Sequence, residues 1–344
     1  MRYIPQLDGL RAIAILLVLA AHAVGLPGGT IGVDIFFVIS GYLITAILLW
    51  EFAARSRVDI KAFYIRRFLR IVPAFAFMLL SISAMTAMFV LPSRRPAEYL
   101  AILYAATYVM NWTRAFGLGS GIVGHTWSLA VEEQFYLLWP LALTVFLATG
   151  RRRQIATLCV LVLVSTLWRA WLVAAPGTDD HVFFGSDARA NQILVGCLLA
   201  FLPMHVVARL AARTWLVPAA VLGAFAVMGV PAWLSLVDSL VIALSAAWLI
   251  AAVHDPGRTL LSAALGAGGC IAIGRLSYSL YLWHAPILAA LAGRRIVPPS
   301  MLPVIGILLS FAAATFSYFV VERPFLRLKE GRRLSLAADS PVRS

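Results

Sequence analysis

Two ionisable residues of the first apolar stretch, Arg11 and His22, stand eleven positions apart. On a helix that separation is about 1100° of rotation, three turns plus ~20°, with about 16 Å of rise, so both side chains point along one face. An ionisable group inside a bilayer costs about 3 kcal/mol on insertion scales and marks a functional position by default. A fixed cation near one membrane surface and an imidazole able to take a proton deeper in would suit a reaction running through the membrane. The plainer reading is an arginine that snorkels to the interface and a histidine that only bonds another helix. The shared face favours function.

Three further groups could do chemistry. In the stretch from Phe63 to Pro73, Arg67 and Arg70 lie at i and i+3 and form a two-pronged clamp for phosphate or carboxylate, whereas Arg66 points elsewhere. Spacing alone fits a topogenic cluster against anionic lipid equally well. From His125 to Pro140 the chain places His125, Ser128 and Glu132 on one helical stripe, with Glu133 about 100° around from Glu132. Two carboxylates entering a membrane helix imply a polar cavity or a cationic partner. A Ser-His-Glu triad is conceivable there, but a shared stripe does not establish a proton relay. The third group is Asp34, Asp187, Arg189, Asp238 and His284, and since Asp187 and Arg189 at i, i+2 face apart, each should reach another helix. Gly117 to Gly121 follows no strand and reads as loop rather than a phosphate cradle.

The elements that must hold these residues follow from composition. Of 344 residues 62% are hydrophobic and 12% charged, which no soluble domain carries, so the chain is an integral membrane protein. Apolar runs fall at roughly 8–26, 33–50, 71–91, 126–149, 154–175, 187–203, 214–231, 235–253, 270–292 and 302–321. The expected fold is all-α, a single bundle of about ten transmembrane helices. The stretch 98–125 is apolar but short, and is expected to be a re-entrant or interfacial piece on the outer side. With the N-terminus inside, 21 of the 28 basic residues fall on inner segments, so both termini are expected in the cytoplasm. The bilayer thus accounts for the net charge of +13 without nucleic acid. Asp8 and Arg11 argue against reading the N-terminus as a cleaved signal peptide. Cys159, Cys197 and Cys270 form no disulfide or zinc spacing, and no metal is expected.

Taken together, the motifs resemble the acyltransferase family 3 of bacterial integral membrane acyltransferases along nearly the whole length. They are Leu7-Asp8-Gly9-Leu10-Arg11 with His22, Gly32 to Tyr42, Arg67-x-x-Arg70, His125 to Pro140, Leu276 to His284, and Glu322-Arg323-Pro324. The resemblance implies transfer of an acyl group, often acetyl, from cytoplasmic acyl-CoA to a carbohydrate hydroxyl at the outer side of a bacterial inner membrane. Arg67 and Arg70 would then hold the CoA phosphates, Arg11 would stabilise donor charge, and His22 would act as general base or carry the acyl group transiently. Glu132 and Glu133 would orient the acceptor or the imidazole. Residues 1–325 would form the membrane domain and 326–344 a basic cytoplasmic tail, with no extracytoplasmic hydrolase-like domain. A lipid-linked sugar, a polysaccharide or a small glycoside all remain open as acceptor, as does self-association of the chain. The alternative function is a proton-coupled transporter or flippase of a sugar-containing substrate, although no repeat symmetry favours it.

Overall fold

The computed structural model describes residues 3–230, 235–255, 259–294 and 297–328. Arg2, Arg258 and the expected basic tail from 329 onward lie outside the described residues. Among those described every regular element is helical: α1 (Pro5–Val24), α2 (Ile31–Arg55), α3 (Ile60–Phe89), α4 (Arg95–Ala106), α5 (Met110–Ala115), a 3₁₀ turn (Gly121–Thr126), α6 (Trp127–Leu147) and α7 (Arg151–Ala174). The second half adds α8 (Asp179–Phe184), α9 (Ser186–Phe201), α10 (Met204–Thr214), α11 (Leu216–Met228), α12 (Asp238–Ala252), α13 (Leu260–Leu265), α14 (Gly268–Arg294), α15 (Leu302–Ser317) and a π-helical turn (Tyr318–Glu322).

Local chemistry sets where the site-bearing helices begin and end. Pro5 opens α1, where its missing N–H is harmless, and Gly25 closes it at φ 69°, a left-handed conformation that favours glycine. His22 therefore sits in the last turn of α1. Asp59 caps α3 by accepting from Ala62 N at 2.8 Å. That cap starts α3 well before the apolar run at 71, so the arginine cluster lies within its first three turns.

Packing then gathers these helices. α1 lies against α14 and α2, α2 against α9, α9 against α7 and α12, and α15 against α14. Lipid tails are as apolar as leucine, so close backbone approach at small residues is what holds membrane helices together. A Cβ on Gly41 of α2 would stand 2.1 Å from Ile193 O, and one on Gly196 of α9 would stand 2.2 Å from Val38 O.

Among the described residues six helices are long and apolar enough to cross a bilayer, or up to seven if the pair Asp179–Phe201 and Met204–Thr214, bent by 117°, is one span. The expectation of ten counted apolar runs. Two of those runs form α11 and α12, of 13 and 15 residues, short of the ~20 that a straight span needs. α14 has the length at 27 residues, but Ser277, Tyr278, Ser279, Tyr281 and His284 dilute its apolar character. The stretch 98–125 folds as part of α4 and then α5, neither long enough to span, and as most of the 3₁₀ turn, which runs on into α6 to give the candidate span Gly121–Leu147.

Candidate active site

Three cavities lie in sequence through the bundle and share lining residues. The one beside the N-terminal half of α1, called inner by that position alone as the one beside its C-terminal end is called outer, has about 170 Å³ and is bounded by Arg11, Ser40, Phe63, Arg66, Arg67, Arg70 and Tyr136 among others. The middle one is a constriction of about 50 Å³ that shares Arg11 and Ser40 with the inner and adds Ser128, Glu132, Ser277 and Tyr281. The outer one, about 530 Å³, shares Val33 and Tyr281 with the middle and holds His22, Arg114 and His125. α1 runs alongside all three, so the single face predicted for Arg11 and His22 is realised with one residue at each end.

At the inner cavity, Arg67 lies over the rings of Tyr136 and Phe63, 4.7 and 5.7 Å to their centres. Arg66 also borders the cavity, but its charge is matched by Glu51 at 3.1 Å. Arg67, Arg70 and Arg11 form no ion pair within 4.0 Å among the described residues. Arg11 and Arg70 line the same cavity, and Arg11 Nε is buried without a partner. Glu132, Glu133 and Glu322 act on these arginines only from beyond that distance, and guanidinium groups around a cavity with no carboxylate bound to them are a place for an anion.

Ser40 organises the constriction: its Oγ donates to Glu132 Oε1 at 2.5 Å and accepts from Tyr136 OH at 2.9 Å. Opposite them, Ser128 Oγ and Tyr281 OH are 2.6 Å apart, and Tyr281 OH also donates to His125 O. Glu322, 3% exposed, is set by the π-helical turn and accepts from Ser279 Oγ at 2.9 Å.

The outer cavity is backed by three imidazoles. The His22 and His284 ring centres are 5.0 Å apart, and those of His125 and His284 5.5 Å. Each ring meets a backbone carbonyl, which can only accept, so the nitrogen concerned carries the proton. His22 Nδ1 donates to Val18 O at 2.9 Å, and His284 Nδ1 to Tyr281 O at 2.7 Å. His125 Nε2 donates to Leu282 O at 3.2 Å. That last acceptor is free because Pro286, four residues on, has no N–H to offer it. In the neutral rings the second nitrogen is therefore a lone-pair acceptor. For His284 Nε2 and His125 Nδ1 that nitrogen is buried and unpartnered. His22 is exposed to its cavity, with Nε2 available to a reacting hydroxyl.

Not every candidate joins the site. Glu133 lines none of the three cavities, and its Oε1 is buried without a partner. Glu132 faces Ser40 rather than His22. The conceivable Ser128-His125-Glu132 relay does not form, because α6 starts at Trp127 and leaves His125 in the 3₁₀ turn, and each residue bonds elsewhere. Asp187 and Arg189 reach other elements as expected: Asp187 meets Trp168 and His181, and Arg189 pairs with Asp34 at 2.8 Å. Sequence reasoning passed over Ser40, Tyr136, Tyr281 and Arg114. A polar side chain inside an apolar run was the available signal for Ser40; the others meet the site only through helix packing.

The family model described as an acyltransferase domain matches residues 4–322. The chain belongs to that family. Similar acyltransferases include the O-acetyltransferase OatA of Staphylococcus aureus, 33% identical over 352 residues, which covers 94% of this chain and 57% of that protein. The peptidoglycan O-acetyltransferase OatA of Listeria monocytogenes is 32% identical over 349 residues, covering 94% of this chain and 56% of that protein. The chain thus spans little more than half the length of these relatives. No solved structure matches it. Within the described residues no group of histidine, cysteine and carboxylate side chains could hold a metal ion.

Proposed function

We propose that this acyltransferase moves an acyl group, acetyl in the first instance, from cytoplasmic acyl-CoA to a carbohydrate hydroxyl at the outer side of a bacterial cell membrane. The observation that carries this reading is the continuous line of cavities, with unpaired arginines at one end and a histidine bearing a free ring nitrogen at the other. Arg67 and Arg70 bind the CoA phosphates in the inner cavity, where a guanidinium fork fits phosphate. The pantetheine arm extends past Arg11 into the constriction, where Arg11 stabilises the charge of the bound donor. His22 Nε2 takes the acceptor's hydroxyl proton as the oxygen attacks the acyl carbon and the CoA thiolate leaves. A two-step course in which His22 Nε2 is itself acylated uses the same free nitrogen. The name of the Listeria monocytogenes relative suggests peptidoglycan as the class of acceptor. Both termini lie in the cytoplasm on this reading, residues 1–325 act as one membrane domain, and shorter helices complete about ten crossings.

The test uses purified protein in liposomes with acetyl-CoA labelled in its acetyl group. His22→Ala should lower acyl transfer by about 10²–10⁴, and Arg67→Ala with Arg70→Ala should weaken CoA binding while the protein stays folded. Full transfer by the His22 variant would remove His22 from the mechanism. Uptake of a sugar without any acyl donor would point to transport instead.

A further inference from the structure

We infer that the acceptor carries an anionic group, a carboxylate or phosphate, near the hydroxyl that is acylated, and that Arg114 in the outer cavity binds it. This rests on the acyltransferase reading above, since it names the class of acceptor for the same site.

Arg114 is held in place without being neutralised. Its guanidinium stacks on Phe184, 3.9 Å to the ring centre, and Nη1 donates to Gly124 O at 3.2 Å. No carboxylate lies within 4.0 Å of it among the described residues. Asp180 attracts it only from beyond that distance and is itself exposed. Glu98, the acid at the neighbouring wall, is occupied by Ile122 N at 3.0 Å. The other titratable groups facing this cavity are His22, His125 and Tyr281; an imidazole carries no negative charge in either protonation state, and the Tyr281 hydroxyl keeps its proton in a bond to His125 O.

The contrast with the neighbouring arginine is informative. Arg189 lies over Trp127 and Phe183, which also line the cavity, yet its charge is cancelled by Asp34 at 2.8 Å. A structural arginine here comes with its own carboxylate. Arg114 does not, so it resembles the inner-cavity arginines, and by the same argument it marks an anion site. The fork of a guanidinium suits carboxylate or phosphate bidentately. At about 530 Å³ the cavity is large enough for a sugar unit, and the aromatic faces of Trp127, Phe183 and Tyr281 offer apolar walls to its ring.

The experiment measures binding, so that it stands apart from turnover. Purified full-length protein is titrated with N-acetylglucosamine, N-acetylmuramic acid, which adds a carboxylate to the same sugar, and N-acetylglucosamine 1-phosphate. One or both anionic sugars should bind about ten- to hundredfold more tightly than the neutral one, and the two arms tell carboxylate from phosphate. Arg114→Gln should bring the ratio close to one, and Arg114→Lys should keep part of it. Wild-type affinity for acetyl-CoA in both variants shows that the bundle is intact. The inference fails if neither anionic sugar binds better than the neutral one, or if the preference survives in Arg114→Gln. If that variant does not fold, the wild-type ratio and its retention in Arg114→Lys decide. Loss of acyl transfer chemistry altogether would leave these affinities unchanged, so failure of the enzyme reading is told apart.

Discussion

At the residue scale, the site depends on hydrogen bonds that fix which atom carries which proton. Ser40 is the small hub of the constriction, holding Glu132 and Tyr136 together. Ser40→Ala should remove both bonds and lower kcat about tenfold, from misplaced reacting groups rather than weaker donor binding; a change confined to KM for acyl-CoA would contradict that. The buried pair Arg189 and Asp34, 7% and 8% exposed, is expected to behave as structure. Breaking it with Asp34→Ala leaves Arg189 uncompensated and should cost about 3–5 kcal/mol, read as a loss of thermal stability in detergent. Arg67, Arg70 and His22 were legible as candidates because charge in an apolar run is expensive and so conspicuous. Arg114 was not, since its meaning lies in the missing carboxylate around it, and only a folded neighbourhood can show that.

At the element scale, breaks in regular hydrogen bonding position the reactive groups. Pro286 frees Leu282 O inside α14, and His125 fills it from the 3₁₀ turn. Pro286→Ala would supply an N–H in competition with His125 for that carbonyl. The expected outcome is a protein at least as stable as wild type with kcat lowered about tenfold as the histidine cluster loosens; unchanged kcat would mean that the His125 contact plays no part. At the far end of α15, the π-helical turn before Pro324 sets Glu322 into the bundle; such turns recur at functional sites. Gly196→Leu should separate α2 from α9, because the first added carbon already meets Val38 O at 2.2 Å. Overpacking of that kind costs about 1–3 kcal/mol or more and should appear as reduced yield of folded protein. Apolar runs located most helices, but ends set by Asp59, Gly25 and the break at Trp127 moved the boundaries that matter to the site.

At the scale of the whole molecule, the distribution of arginine predicts both termini inside. A fluorescent reporter that folds only in the cytoplasm should therefore be bright when fused at either end, and a dark fusion at one end would overturn that orientation. Sequence by itself determined that the chain is a helical membrane protein of the acyltransferase family, and it singled out Arg11, His22, Arg67 and Arg70. Those conclusions depend on composition and on spacing within one helix, both of which are local. The tertiary structure decided that these residues border one line of cavities, that Glu132 answers to Ser40 rather than to His22, and that His284 and His125 back His22. It also decided which arginines have their charge cancelled. Those facts join residues on different helices, whose relative rotation is set by small-residue packing and by prolines, and no periodicity along a single helix contains them.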